Sequence, residues 1–245
     1  PTAAPGAPTT PAAASAVATR PAPRSIAVQT SAPAAHRPSP AKPAPSKSAV
    51  APVGAKPGTY SEATTGTIKS ALGTMSADGD TTLTVSADKG RDQEQKEVDK
   101  NSTTDEIARF AADGSVRFTY LHISSAAFDD TFTFTTPELV FPAKPAPGQT
   151  WSWSAKSDDG KTTITFKGTY KGTEDVTIGG TVVHCLIVQA DFTLQSDTTI
   201  TVTQTADYAP AYGLIVRQHQ MASGTAYGTP FTADTTTTLK SLTPQ

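Results

Sequence analysis

The four histidines and the single cysteine are the residues best suited to metal binding or nucleophilic catalysis. His122, His184 and His219 fall on segments with strand-like patterns, while His36 lies in a proline-rich stretch. Zinc sites commonly take two histidines at a short, regular spacing, and the sequence has neither H-x-H nor H-x₃-H. We therefore expect partly buried, hydrogen-bonded histidines and no metal site.

The neighbouring residues His184 and Cys185 invite a thiol–imidazole interpretation. Successive side chains of a β-strand point to opposite faces, so two adjacent residues cannot form a catalytic dyad there. A free cysteine is among the most frequently buried residue types. We expect Cys185 to be a small core residue, and a lone cysteine excludes an internal disulfide.

The carboxylates show no spacing typical of acid–base catalysis. Asp129-Asp130 and Asp158-Asp159 are sequence neighbours, and Asp78-x-Asp80 is only a fragment of a calcium-binding loop. The glycine-rich motifs G-x-S-x-G, G-x-x-x-x-G-K-[ST] and G-x-G-x-x-G are absent. The sequence therefore predicts no catalytic residue, no cofactor and no enzyme, with a hydrolase of dispersed site kept as a third alternative.

Four aromatic residues are the remaining candidates for a ligand site. Trp151 and Trp153 are two positions apart and share one face of a strand, while Tyr208 and Tyr212 flank a loop. Large aromatic side chains dominate β cores, so packing is one interpretation. The other is that they line an apolar pocket at the mouth of a curled sheet.

The elements that must position these residues are β-strands. Threonine supplies 37 of residues 58–245, and β-branched side chains suit a pleated surface. Leu83, Val85 and Ala87 alternate with hydroxyl residues, and residues 131–135 alternate threonine with phenylalanine. A period of two with one polar face predicts antiparallel strands solvated on one side.

Turn residues separate the strand-like segments. Asp-Gly and Gly-Gly pairs at 78–79, 113–114, 159–160 and 179–180 favour tight hairpins. We expect residues 89–104 to be a long exposed hairpin end or a short helix, and 137–150 to be an irregular crossing. The predicted strands are 59–71, 81–88, 105–112, 115–124, 128–135, 149–156, 161–170, 181–195, 198–208, 213–222 and 231–242.

The segment 181–188 is apolar on both faces, so we expect it to be a central strand covered on both sides. About eleven strands without a helix-sized amphipathic run must curl to bury their apolar face. The predicted fold is all-β, a long antiparallel meander forming a strongly curved sheet or half-barrel. A closed barrel and a two-sheet sandwich remain open.

Residues 1–57 form a separate region. They hold 13 of the 20 prolines and 18 alanines, with six basic residues and no acid. Frequent proline prevents helix and sheet, so we predict a disordered, extended tether. Residues 58–245 carry 14 basic and 22 acidic residues, which disfavours nucleic-acid binding by this predicted domain. No run of apolar residues is long enough to span a membrane as a helix.

One part of the sequence resembles a known kind of protein. Gly148-x-x-Trp151, Gly172-x-Glu174-x-Val176 and Tyr208-Ala-Pro-x-x-Gly213-Leu are similar to a pattern in a secreted or lipid-anchored bacterial all-β domain of unknown function. The alanine/proline tail and the threonine richness also resemble exported proteins of high-GC actinobacteria. The resemblance implies an envelope protein built as an antiparallel meander.

These observations predict a non-enzymatic, extracytoplasmic cell-envelope protein, secreted or anchored at the surface. In the first interpretation a structural or interaction module is held on the tether and contacts a cell-wall polymer or an envelope protein. In the alternative the curled sheet carries an apolar, lipid-like ligand. Contact with a membrane is expected only through an anchor that has been removed or is absent from the sequence.

Overall fold

The chain folds as a single curled sheet. The computed structural model describes residues 54–87, 89–125, 128–226 and 228–245. Within these ranges thirteen antiparallel strands form one nearly closed, barrel-like sheet, and no helix is found there, which confirms the predicted fold class. The predicted tether and His36 lie outside the described residues, apart from residues 54–57.

Each strand follows the preceding one after a short connection. The strands are β1 (Gly58–Ser70), β2 (Gly73–Ser76), β3 (Gly79–Val85), β4 (Asp92–Val98), β5 (Ser102–Phe110), β6 (Val116–Ser125), β7 (Phe128–Phe141), β8 (Thr150–Lys156), β9 (Thr163–Ile178), β10 (Thr181–Gln195), β11 (Thr199–Ala209), β12 (Leu214–Ala226) and β13 (Thr229–Leu239).

The strands form an up-and-down meander in which the first strand also pairs with the last. β1 pairs with both β3 and β13, so the first and last strands lie side by side near the middle of the sheet. The short β2 pairs with β1 alone. The sheet ends at β7 and β8, which follow each other in the chain but do not share a strand ladder. We call the junction of these two strands the seam.

A few backbone and side-chain hydrogen bonds bridge the seam in place of a ladder. The backbone N–H of Asp158 donates to the carbonyl of Thr131 at 2.8 Å, and its carboxylate accepts from the N–H of Thr133 at 2.9 Å. Further along, the indole Nε1–H of Trp153 donates to the carbonyl of Leu139 at 3.1 Å. The seam is therefore held by a few specific contacts, and these satisfy backbone groups that an open edge would leave unpaired.

The inward side chains form two hydrophobic clusters. The first draws on β5 to β11 and is rich in phenylalanine. The second joins β1, β3 and β9 to β13, and it includes Ala55, whose N–H donates to the Oε1 of Gln93 at 2.8 Å. Ala55 therefore packs against the sheet just before β1 begins.

The interpretation of 89–104 as an exposed hairpin end or a short helix is wrong. β4 occupies residues 92–98 and pairs with β3 and β5 in the interior of the sheet. Its inward positions are Gln93, which is fully buried, and then Gln95 and Glu97, which line the barrel interior. The apolar pattern does not predict this strand because every inward position of β4 is polar.

The expectation that 181–188 is covered on both faces is also wrong. Val182 is 65% exposed, and His184 points to solvent. The pairing of β10 with β9 shifts register between Ile187 and Val188, and the buried positions change there from Val183 and Cys185 to even-numbered residues. The segment is apolar at both odd and even positions because the strand is irregular here. The inward residues are odd-numbered before the register shift and even-numbered after it.

Two smaller boundaries differ from prediction. β7 continues to Phe141, so the irregular crossing begins after that residue and not at Pro137. A proline is tolerated there because β7 is the terminal strand of the sheet. β3 ends at Val85, and Ala87, expected on the apolar face, is exposed.

Candidate ligand-binding cavity

The inward faces of the strands enclose a cavity of about 250 Å³. Natural interiors are close-packed and contain few voids larger than a water molecule, so a cavity of this size is a feature to explain. The structure places two kinds of side chain around it, and we name them the apolar wall and the polar wall.

The apolar wall is built by alternate residues of β5 to β7 and β9 to β11. The small residues Ala190 and Ala206 occupy inward positions on adjacent strands, where larger side chains would fill the space. Around them lie mainly phenylalanine and branched aliphatic side chains. The apolar wall includes Phe110, Phe118, Phe141, Ile164, Phe166, Val188, Ala190, Phe192 and Ala206.

The polar wall lies mainly on the middle strands of the sheet. Its residues come from β1, β4, β5, β11, β12 and β13, which are close together in the strand order. Amide and carboxyl groups predominate. The polar wall consists of Glu62, Gln95, Glu97, Thr104, Glu106, Gln204, Arg217, Gln218, Gln220 and Thr237.

Glu62 is the most deeply buried carboxyl of the polar wall. It is 6% exposed, and its Oε2 has no hydrogen-bond partner among the described residues. Burial raises the pKa of Glu62, and the nearby carboxyl of Glu97 raises it further. Such a group favours its protonated, neutral form unless a positive charge is brought to it.

Glu97 and Glu106 complete an acidic group with Glu62. In the ladder, Glu97 is opposite Thr104 and Glu106 is opposite Gln95, so both carboxyls occupy one inward patch of two paired strands. Burial raises the pKa of Glu106 to about 8, with Glu97 and Asp105 adding to the effect. Burial likewise raises the pKa of Glu97. None of the three forms an ion pair with a described residue.

Arg217 does not neutralise this acidic group. Its Nη2 donates to Glu174, and its Nε donates to Asp207, which is 3% exposed. The guanidinium thus bridges two carboxylates that lie outside the cavity lining, and its charge is already compensated. The net charge of the polar wall is therefore set by the three glutamates.

Tyr208 is a second unsatisfied polar group at the cavity. The residue is 3% exposed, and its ring stacks on Phe141 with centroids 4.2 Å apart. The phenolic oxygen is buried and has no hydrogen-bond partner among the described residues. Burial raises the pKa of Tyr208 well above its usual value, so the hydroxyl stays neutral. A buried hydroxyl without a partner is costly, which makes it a candidate to contact a ligand.

The four aromatic residues predicted as a ligand site are separated by the structure. Tyr208 lines the cavity. Trp153 is outside the cavity lining, and its ring stacks on that of Phe166 with centroids 4.9 Å apart. Trp151 covers Gly168, where an added Cβ would come within 2.3 Å of the indole. Tyr212 packs against the second hydrophobic cluster. Ligand binding by these residues stays a prediction.

Sequence reasoning missed the three glutamates. A usable signal exists in β5, where Thr104, Glu106, Ala108 and Phe110 alternate, so Glu106 shares a face with two apolar residues. No comparable signal marks Glu97, because the inward face of β4 has no apolar residue. The spacing of these carboxylates along the chain gives no signal, because the sheet brings them together from different strands.

The three described histidines, His122, His184 and His219, lie outside the cavity lining. Each has a ring nitrogen within 2.9 Å of an aspartate on a partly or fully exposed surface. His184 is exposed while Cys185 is fully buried, as their adjacent strand positions predict, and burial raises the pKa of Cys185 to about 12. Among the described residues no group of three metal-ligating side chains is arranged to hold a metal ion. The pairs are His122–Asp129, His184–Asp175 and His219–Asp234.

No family model and no curated protein matches the sequence. Three solved structures are similar in outline. An inferred exported protein with a YmcC-like fold from Bacteroides fragilis is 15% identical, with a TM-score of 0.36 over 77% of this chain and 97% of its own. An inferred lipoprotein from Parabacteroides distasonis is 14% identical, with a TM-score of 0.35 over 76% and 95%. The hypothetical lipoprotein YmcC from Escherichia coli is 13% identical, with a TM-score of 0.32 over 75% and 88%.

Similarities of this size do not establish a shared function. Among the described residues, no helix is long and apolar enough to cross a membrane.

Proposed function

We propose that this protein binds an amphipathic small molecule inside its barrel. The observation that supports this most directly is the cavity, whose lining combines an apolar wall with a polar wall. Small-molecule sites are typically concave and mostly apolar, with a few convergent polar groups that orient the ligand. This arrangement favours the carrier over the interaction module as the main role of the domain.

The size of the cavity fits an organic ligand. An apolar cavity of about 150 Å³ is enough to admit benzene, and the present cavity is about 250 Å³. A chain of several methylene groups or an aromatic ring with a substituent would occupy it. Burial of such a group contributes about 25 cal/mol per Å² of apolar surface removed from water.

We place the protein outside the cytoplasm, secreted or anchored at the cell surface. The proline- and alanine-rich residues 1–57 have the composition of a spacer, and their six basic residues suit contact with an anionic wall polymer. In this proposal the tether sets the reach of the domain and determines which envelope partner it meets. The barrel then supplies the binding activity.

Binding of a neutral apolar dye to the full chain tests the proposal. N-phenyl-1-naphthylamine becomes fluorescent in apolar surroundings and carries no charge at neutral pH. We expect saturable binding in the micromolar range. Ala190→Phe should weaken it by about tenfold or more, because the added ring fills the cavity beside Ala206. The measurement is a fluorescence titration.

The matched control is Thr193→Phe, which adds the same ring to the same strand. Thr193 is outside the cavity lining, so dye binding should remain at the wild-type level. Circular dichroism of both variants checks that the sheet is retained. If the wild-type chain does not bind the dye, or if both variants weaken binding equally, the proposed function is contradicted.

A further inference from the structure

We infer that the ligand carries a positively charged amine head group, which binds at Glu62, Glu97 and Glu106 while its apolar body lies against the apolar wall. This inference rests on the proposed function and names the chemical class of the ligand. It is carried by the charge of the polar wall and by two buried polar atoms that have no partner among the described residues, on residues that line the cavity.

The charge balance of the polar wall is the first observation. Three carboxyls line the cavity, and no described cation pairs with any of them. The single cation of this wall, Arg217, already bridges Glu174 and Asp207. A buried carboxylate without a counter-charge is costly, and a bound cation removes that cost. The site therefore matches a ligand that supplies the missing positive charge.

The unpartnered atoms are a second, independent observation. Oε2 of Glu62 and Oη of Tyr208 are both buried, on residues that are 6% and 3% exposed. Both residues line the cavity, on β1 and β11, with β12 and β13 between them in the sheet. An ammonium group has three N–H donors and no acceptor, so at Glu62 it supplies the donor that Oε2 lacks.

The same features disfavour an anionic lipid. A carboxylate or phosphate head group would approach Glu62, Glu97 and Glu106, where it forms no ion pair and is repelled by any of the three that is ionised. Gln204, Gln218 and Gln220 could hydrogen-bond a neutral alcohol or amide, yet a neutral head group would form no ion pair with the acidic group. Burial already raises the pKa of Glu106 to about 8, a sign that its anionic form lacks compensation.

Three ligands with one chain and different head groups separate these cases. Octylamine is cationic at pH 7, octanol is neutral and octanoate is anionic, and each carries the same eight-carbon chain. Calorimetric titration of the full chain should give the tightest binding for octylamine. We expect octanol to be weaker by about tenfold or more, as the loss of a charge-assisted hydrogen bond predicts, and octanoate to be weakest.

Two glutamate variants connect the selectivity to the acidic group. Glu106→Gln keeps the size of the side chain and removes its charge, so octylamine binding should weaken by about tenfold while octanol binding is unchanged. The control is Glu94→Gln on the same strand ladder, because Glu94 is exposed and outside the cavity lining. It should leave both affinities at the wild-type level. Unchanged octanol binding also shows that the variant barrel is intact.

The outcomes distinguish the two proposals. If octanol or octanoate binds as tightly as octylamine, or if Glu106→Gln leaves octylamine binding unchanged, the amine inference is overturned while the ligand-binding function stands. If the dye binds but none of the three octyl ligands does, the amine inference is again overturned. If neither the dye nor any octyl ligand binds, the proposed function itself is wrong.

Discussion

At the scale of single residues, the most informative feature is an acidic group facing an apolar wall. Glu62, Glu97 and Glu106 contribute little to packing, and burial raises their pKa values. Buried ionisable residues with shifted pKa values that add little packing are characteristic of functional sites. The glutamates therefore point to a binding role, whereas Cys185 and the three exposed His–Asp pairs do not.

The raised pKa values predict that stability falls as pH rises. Between pH 5 and about pH 7 the folded chain holds protons on Glu62, Glu97 and Glu106 that the unfolded chain has released. Their stabilising contribution is complete below the ordinary carboxyl pKa and is lost as pH rises through the raised values. We expect the thermal unfolding midpoint of the ligand-free chain to fall by at least about 5 °C from pH 5 to pH 8.

Glu106→Gln should reduce this slope, because the variant has no proton to lose at that position. Glu94→Gln, on the exposed face of β4, should keep the wild-type slope. The measurement is differential scanning fluorimetry at one-unit pH intervals. Aspartates with lowered pKa values, such as Asp92 and Asp113, affect stability only below this window. A midpoint that is constant or rises between pH 5 and pH 8 would show that the glutamates are not buried in this way.

At the scale of strands, apolar alternation predicted most elements and failed where the pattern is polar or interrupted. β4 was missed because its inward positions are Gln93, Gln95 and Glu97. β2 was missed because all four of its residues are exposed. The outer face of β10 was misjudged because the register shift after Ile187 changes which residues point inward. Such shifts depend on the partner strand, so one strand's sequence does not reveal them.

One indole contributes both a hydrogen bond and packing to the seam between β7 and β8. Trp153 donates its Nε1–H to Leu139 and packs edge-on against Phe134 at 5.3 Å. Trp153→Phe removes the hydrogen bond and part of the ring, which should lower the free energy of unfolding by about 2–3 kcal/mol. Amide hydrogen exchange in β7 and β8 should also become faster than in the rest of the sheet.

Trp151→Phe is the control for the seam. The Nε1 of Trp151 is buried without a hydrogen-bond partner among the described residues, so this substitution removes packing but no hydrogen bond. The expected loss is about 1–2 kcal/mol, without faster exchange at the seam. Urea unfolding and exchange mass spectrometry give the two readouts. Equal destabilisation and unchanged exchange in both variants would contradict a specific role for Trp153.

At the scale of the whole molecule, curling follows from strand number and one-sided hydrophobicity, and this could be predicted. The cavity could not, because its volume depends on how side chains from strands far apart in the sequence, such as Glu62 on β1 and Ala190 on β10, come together around the barrel interior. The predicted aromatic site shows the same limit. Tyr208 reaches the cavity, while Trp153 faces the seam and Tyr212 joins the other cluster.

The most direct test of ligand binding inside the barrel is the location of a bound ligand by NMR. The full chain would carry ¹³C-labelled Ile and Val methyl groups, and octylamine would be unlabelled. We predict intermolecular contacts to Ile164 and Val188, which are 0% and 2% exposed and line the cavity. Val182, 65% exposed on the outer surface, should show none. Contacts to Val182 without contacts to Ile164 and Val188 would contradict the account.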